Sequence, residues 1–128
     1  MTTQHTMRAY IGAWLAGDWD RATAFWSEDV VHHVPGRGPL SGDFQGKRAF
    51  LAAYDQIFER LGGTIQVVSV HDVLASNEHA VMLVTERAVR GRRHLDFNRV
   101  VVYHVRNGKI VETWSYDYDP TALDEFWS

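Results

Sequence analysis

Residues 100–117 read Val-Val-Val-Tyr-His-Val-Arg-Asn-Gly-Lys-Ile-Val-Glu-Thr-Trp-Ser-Tyr-Asp, and the Asn107-Gly108 pair in their middle decides the fold. Asn-Gly between two β-rich runs signals a two-residue hairpin, because both central residues of that turn need positive φ. Gly91 and Asn77 mark two earlier turns. Ile65–Ala75, His79–Arg90, Arg93–Arg106 and Lys109–Asp117, all rich in Val, Thr and Tyr, therefore read as an antiparallel meander. The first half is helical. Met7, Tyr10, Ile11, Trp14 and Leu15 recur at helical spacing; Gly17 ends that helix, and Asp18 caps a second one carrying Trp19, Ala22, Phe25 and Trp26. Val30 to Val34 reads as a short strand, followed by Pro35-Gly36 and a glycine-rich loop to Gly46. A third helix over Lys47–Leu61 puts Phe50, Tyr54, Ile57 and Leu61 on one face, and Gly62-Gly63 stops it. Helices first and a meander second predict an α+β fold, the helices covering one sheet face.

The chain of 128 residues suits a single domain over 1–128, with 45% apolar and 23% charged residues, as in soluble globular proteins. A net charge of −3 leaves no electrostatic footprint for nucleic acid. The cluster Arg90, Arg92 and Arg93 spans a turn and reads as solvated. The absence of cysteine excludes disulfides, thiolate metal sites and cysteine nucleophiles. No apolar run approaches the roughly 18 residues of a membrane span. The N-terminus lacks a signal pattern, so no membrane partner and a cytoplasmic location are expected. Five tryptophans in so short a chain exceed what a core needs and point to pocket walls or interfaces. No His-x-His, Glu-x-x-His or strand-to-helix phosphate loop is present, so neither metal nor organic cofactor is expected.

Strand register sorts the side chains. An uninterrupted hairpin at Asn107-Gly108 pairs Val102 with Thr113, Val100 with Ser115 and Asn98 with Asp117. The Gly91 turn adds Val81, Leu83, Thr85, Arg87 and Asp96 to that face, which is expected to line a pocket. Met82, Val84, Leu95, Phe97, Val101, Tyr103, Trp114 and Tyr116, with Glu86, Arg99 and Glu112, fall on the opposite face. That face is apolar enough to predict a homodimer through it, centred on Val84, Phe97, Val101, Tyr103 and Trp114.

Arg8-Ala-Tyr-Ile, Ala16-Gly-Asp-Trp and Phe25-Trp-Ser-Glu-Asp-Val, followed by Pro35, resemble the opening of ketosteroid isomerases without gaps. His33-Val-Pro-Gly, Leu40-Ser-Gly and Val105-Arg-Asn-Gly-Lys-Ile-Val-Glu-Thr-Trp114 resemble SnoaL-like polyketide cyclases. The resemblance covers nearly the whole chain. It implies a cone-shaped, cystatin-like α+β roll, with a curved sheet packed on three N-terminal helices. The isomerase chemistry does not carry over: its oxyanion tyrosine falls on Tyr10, but its two aspartates fall on Val34 and Val102. SnoaL-like cyclases use an aspartate in the last strand, which points to Asp117. Epoxide-hydrolase-like members use an Asp–Arg–Asp set, for which Arg87, Asp96 and Asp117 supply the residue types.

The reading is a cofactor-independent acid/base enzyme, of cyclase or isomerase type, for a small hydrophobic carbonyl or polyketide-like substrate. Asp117 moves the proton as a desolvated carboxyl, and Tyr10, Asn98 and one of His32 or His33 stabilise the developing oxyanion. The walls are Trp14, Trp26, Val34, Tyr54, Leu83, Thr85, Arg87, Asp96, Val100, Val102 and Ser115. The alternatives are water activation at Asp117 to open an epoxide, or small-molecule binding without catalysis. Because His32 and His33 are adjacent on a strand, only one faces the pocket.

Overall fold

The computed structural model describes residues 2–128. Three helices, α1 (Thr3–Leu15), α2 (Trp19–Thr23) and α3 (Lys47–Leu61), accompany β1 (Trp26–Val34) and β2 (Gly42–Gln45) in the first half. The meander follows as β3 (Gly63–Ala75), β4 (His79–Arg90), β5 (Arg93–Arg106) and β6 (Lys109–Asp117), and a fourth helix, α4 (Pro120–Trp127), comes last. The strands make one curved sheet in the order β2-β1-β6-β5-β4-β3, with β1 parallel to β6 and every other pair antiparallel. This is the expected α+β roll.

Local chemistry sets the boundaries. Thr2 caps α1 by accepting from the His5 N–H, and Asp18 caps α2 by accepting from Arg21. Gly62 ends α3 in the left-handed conformation at φ 67°, its N–H returning to the Phe58 carbonyl. Asn107 (φ 53°) and Gly108 (φ 76°) form the tight hairpin that pairs Arg106 with Lys109.

Beyond that turn the register departs from simple counting. Val105 pairs with Ile110, but His104 pairs with Glu112, so Val111 is an extra, bulged residue. One added residue exchanges the faces of everything beyond it. Val102 therefore faces Trp114, Val100 faces Tyr116, and Asp117 lies opposite Arg99 in place of Asn98. The Gly91 turn keeps the expected parity, pairing Arg87 with Asp96 and Thr85 with Asn98. The core face of β4 and β5 is consequently the one opposite to that expected. Met82, Val84, Glu86, Phe97, Val101 and Tyr103 are buried beneath the helices. Leu83, Thr85, Arg87, Asp96, Asn98, Val100 and Val102 share the outer face with Trp114 and Tyr116.

On the inner face, α1 places Met7, Tyr10 and Ile11 against Met82, Val84, Val101 and Tyr103. No residue of α3 is fully buried; it leans on the sheet through a chain of rings, Phe50, Tyr54 and Phe58. The fourth helix was not expected, although its signals are present: Asp119 caps it by accepting from the Ala122 N–H, and Pro120 occupies the first turn. Leu123, Phe126 and Trp127 pack with Leu40, Ala88 and Phe97 in a second cluster that closes the wide end of the cone. Arg90 and Arg93 are not simply solvated. Arg90 donates to the carbonyls of Leu61, Trp127 and Ser128, and Arg93 to that of Phe126, so both neutralise the carbonyl end of α4.

Gly63 lies under the Trp127 indole: a Cβ there would sit 2.5 Å from the ring and 2.7 Å from the Val89 carbonyl oxygen. Gly63→Ala should therefore destabilise the fold by about 2 kcal/mol, the scale of overpacking a filled site. Urea unfolding checks this, and a variant within about 0.5 kcal/mol of the parent would contradict the packing, being the range of neutral surface changes.

Candidate active site

The inner floor of the cone is mostly apolar, and three charges interrupt it: Glu86 on β4, Arg99 on β5 and Asp117 on β6. The bulge at Val111 brings Arg99 and Asp117 together. Arg99 donates from Nε to Asp117 Oδ1 at 2.5 Å and from Nη2 to Oδ2 at 3.1 Å. Their side chains are 10% and 2% exposed, so this is a buried, two-pronged ion pair. Burial works against the Arg99 charge, but the hydrogen bond to Asp117 and the negative charge around it more than offset this, and the guanidinium stays protonated. Two of its five N–H donors are committed to Asp117, which leaves three.

Asp117 does line the inner face, as the sequence suggested, but its partner is a cation. A carboxylate with both oxygens held by a guanidinium is an anchor, and the expectation of a poised acid/base at Asp117 is corrected accordingly. The carboxyl whose pKa burial raises is Glu86, which is 6% exposed. Desolvation pushes its pKa up; attraction from Arg99 lowers it and repulsion from Asp117 raises it further. Neither Glu86 nor Arg99 was singled out from the sequence. Their signal was present as two charges alternating in register with Val84, Phe97 and Val101, on a face otherwise fit only for a core.

The remaining expected residues divide cleanly. Tyr10 is buried with its ring edge-on to Tyr103 at 5.8 Å, and burial pushes its hydroxyl up to about 12, so it stays a neutral donor. His32 is the histidine that faces inward. It is 5% exposed and shares a 2.6 Å hydrogen bond with Thr113 through Nδ1; burial, reinforced by the charge of His33, lowers its pKa to about 4. It is therefore neutral, stacked on Phe50 at 3.9 Å and edge-on to Trp26. His32 Nε2 and Trp26 Nε1 are buried without partners among the described residues. Val34 and Tyr54 line the cavity beside Arg99, and Trp14 packs on the α1 side of the core. Ser115 lies on the inner face opposite Val101.

His33 points outward. Its Nδ1 meets Asp43 at 2.7 Å and its Nε2 meets Glu112 at 2.5 Å, while its ring stacks on Trp114. The bonds to Glu112 and Asp43 raise its pKa, and His33 is a staple joining β1, β2 and β6, away from the cavity. Asn98 accepts from Thr85 on the outer face, and Arg87 pairs with Asp96 there across two exposed strands. Asn98, Leu83, Thr85, Arg87, Asp96, Val100 and Val102 are thus removed from the site by the same bulge. No group of three or more metal-ligating side chains with suitable geometry occurs among the described residues.

What remains inside is a cavity of about 10 Å3, bounded by Val34, Tyr54, Arg99 and the α4 residues Leu123, Asp124 and Trp127, among others. That is roughly the room one water requires. Of the three ionisable groups of the inner floor, Arg99 is the one on this lining, and its uncommitted N–H donors are what the cavity wall offers.

The two carboxyls should behave oppositely. Asp117→Asn strands a buried guanidinium and should cost about 3 kcal/mol of stability, as breaking one side of a buried pair does. Glu86 has a raised folded pKa, so its proton is kept in the folded state and lost from the unfolded chain above about pH 4.3. Stability therefore falls as pH rises from there toward the folded pKa, and Glu86→Gln should gain on the parent across that window. Urea unfolding of both variants from about pH 4 to 7 measures this. A Glu86→Gln variant that loses ground as pH rises would contradict the assignment.

A SnoaL-like domain profile matches residues 7–113. The chain is 29% identical over 123 residues to the uncharacterized protein Rv0034 of Mycobacterium tuberculosis, covering 95% of this chain and 93% of that one. It shares 30% identity and a TM-score of 0.84 with Bal32a from a soil-derived mobile gene cassette, over 98% of this chain and 95% of that one. A Xanthomonas campestris protein of unknown function with a cystatin-like fold superposes with a TM-score of 0.89 at 26% identity, over 100% and 99% of the two chains. The profile spans most of the sequence, and the chain belongs to the family of SnoaL-like domains.

Proposed function

We propose that this protein is a cofactor-independent acid/base enzyme for a small, neutral, hydrophobic substrate of carbonyl or polyketide type. The observation that supports this best is a desolvated glutamic acid beside an arginine that a second carboxylate holds in place. Glu86 is the proton-moving group, because burial keeps its proton available at higher pH than an ordinary glutamate would. Arg99, fixed by Asp117, turns its free donors toward an oxygen that gains negative charge as the proton moves. Tyr10 and neutral His32 are the further hydrogen-bonding groups of the cone. The substrate is neutral because the site is balanced: the Arg99 and Asp117 charges cancel, and Glu86 is favoured in its uncharged form. An anionic ligand would compete with Asp117 for the guanidinium.

A second reading draws on the same three residues. Carboxyl, guanidinium and carboxylate side by side are also what epoxide opening by water needs. Glu86 would give a proton to the ring oxygen as its C–O bond breaks and water adds to carbon, with a proton returning to Glu86. Labelled water separates the two, since only hydrolysis leaves its oxygen in the product. For either chemistry, Glu86→Gln should lower turnover of a substrate by roughly 100-fold or more, the scale of a lost general acid/base, with the fold retained. Undiminished turnover would exclude Glu86 as the proton carrier.

The outer sheet face is the proposed homodimer surface, with a residue set revised by the bulge. Val84, Phe97, Val101 and Tyr103 belong to the core. Leu74, Val81, Leu83, Val100, Val102, Trp114 and Tyr116 take their place on four neighbouring strands. Light scattering should give twice the 14.6 kDa chain mass, and Trp114→Glu should return it to one. A parent protein that is already monomeric at micromolar concentration would remove this proposal.

A further inference from the structure

Resting on the acid/base reading of the Glu86–Arg99–Asp117 site, we propose that α4 is the gate of that site, released by parting of the seam between Asp124 and the loop at 35–41. The cavity leaves little room for a substrate: it amounts to about 10 Å3, against the several hundred that a small-molecule pocket occupies. The lining shows where it opens. Leu123, Asp124 and Trp127 come from α4, and Pro35, Gly38, Leu40 and Ser41 from the loop, whereas α3 contributes Tyr54 alone. The loop and helix therefore meet along one seam over the Arg99 guanidinium.

Buried apolar side chains and the Arg90 and Arg93 hydrogen bonds hold the rest of α4, and the seam itself rests on one carboxylate. Asp124 Oδ2 accepts from the Arg37 N–H at 2.7 Å and Oδ1 from the Gly38 N–H at 3.0 Å. The loop is glycine-rich for this contact: a Cβ at Gly36 would lie 2.6 Å from the Asp124 carboxylate and one at Gly38 2.8 Å from it. A pair of hydrogen bonds to a carboxylate at a half-exposed edge exchanges with water far more readily than buried apolar packing does. The link from β6 suits a hinge. Tyr118 is 89% exposed, but its N–H still donates to the Asn98 carbonyl, so the pivot falls at the exposed Asp119, two residues beyond the one that anchors Arg99. The floor of the site would stay fixed, since its strands are paired on both sides.

The test is a lock. The chain contains no cysteine, and a Cβ built at Gly38 stands 3.4 Å from the Asp124 Cα, close enough for Gly38→Cys and Asp124→Cys to bond. The readout is exchange of the Arg99 Nε–H with solvent, followed by NMR, which needs no substrate. Oxidation of the pair should slow that exchange roughly ten-fold or more relative to the reduced form, as expected when a local opening is blocked. Asp124→Ala should speed it above the parent, with backbone exchange at Met82 and Val101 unchanged. Equal rates in oxidised and reduced protein would overturn the gate. If the cysteines fail to bond, an Asp124→Ala rate equal to the parent's overturns it as well. A gate that works in a protein with no turnover would sink only the enzymatic reading.

Discussion

The structure depends on one buried ion pair. Taking a guanidinium and a carboxylate out of water costs several kcal/mol per ion, and only two-pronged geometry with further polar neighbours offsets that. Arg99 and Asp117 have that geometry, and the sheet is shaped to provide it. The bulge at Val111 rotates β6 by one residue against β5, so that Asp117 faces the cation rather than Asn98. Without it, Arg99 would have no carboxylate opposite it on the neighbouring strand.

From that pair the chemistry of the cone follows. A fixed positive charge makes it tolerable to bury Glu86 nearby, yet the neighbouring Asp117 prevents Arg99 from fully stabilising a glutamate anion. The surrounding groups are kept neutral by burial: Tyr10, Tyr54 and Tyr103 are pushed up, and His32 is pushed down. The interior thus holds one ion pair, one carboxyl with a raised pKa and several neutral hydrogen-bonding groups, with α4 packed across one side.

Most of the fold was legible because it is written in local signals. Periodicity in α1, the Gly62-Gly63 stop and the Asn107-Gly108 turn placed α1, α3, β4, β5 and β6 at their observed limits or within a few residues of them. The α4 helix was overlooked despite its Asp119-Pro120 start, because its apolar residues arrive only after the meander has already suggested a complete domain. The site was less legible. Asp117, Tyr10, His32, Trp26, Val34, Tyr54 and Ser115 fell on the inner side as expected, but Asn98 and six supposed wall residues fell outside. A bulge leaves no mark in composition or alternation, since Ile110, Val111 and Glu112 read as an ordinary strand. The better clue was energetic: Glu86 and Arg99 interrupt a face otherwise built of Met82, Val84, Phe97 and Val101, and charges in such company need one another.

The proposed chemistry turns on Glu86 keeping its proton to higher pH because it is desolvated beside a guanidinium already engaged by Asp117. Titration of the Glu86 side-chain carboxyl carbon by NMR tests it most directly. The expected midpoint lies above the ordinary value of about 4.3 for glutamate. A midpoint at or below that value in the parent protein would show a glutamate ionised against Arg99, and Glu86 would not be the proton carrier.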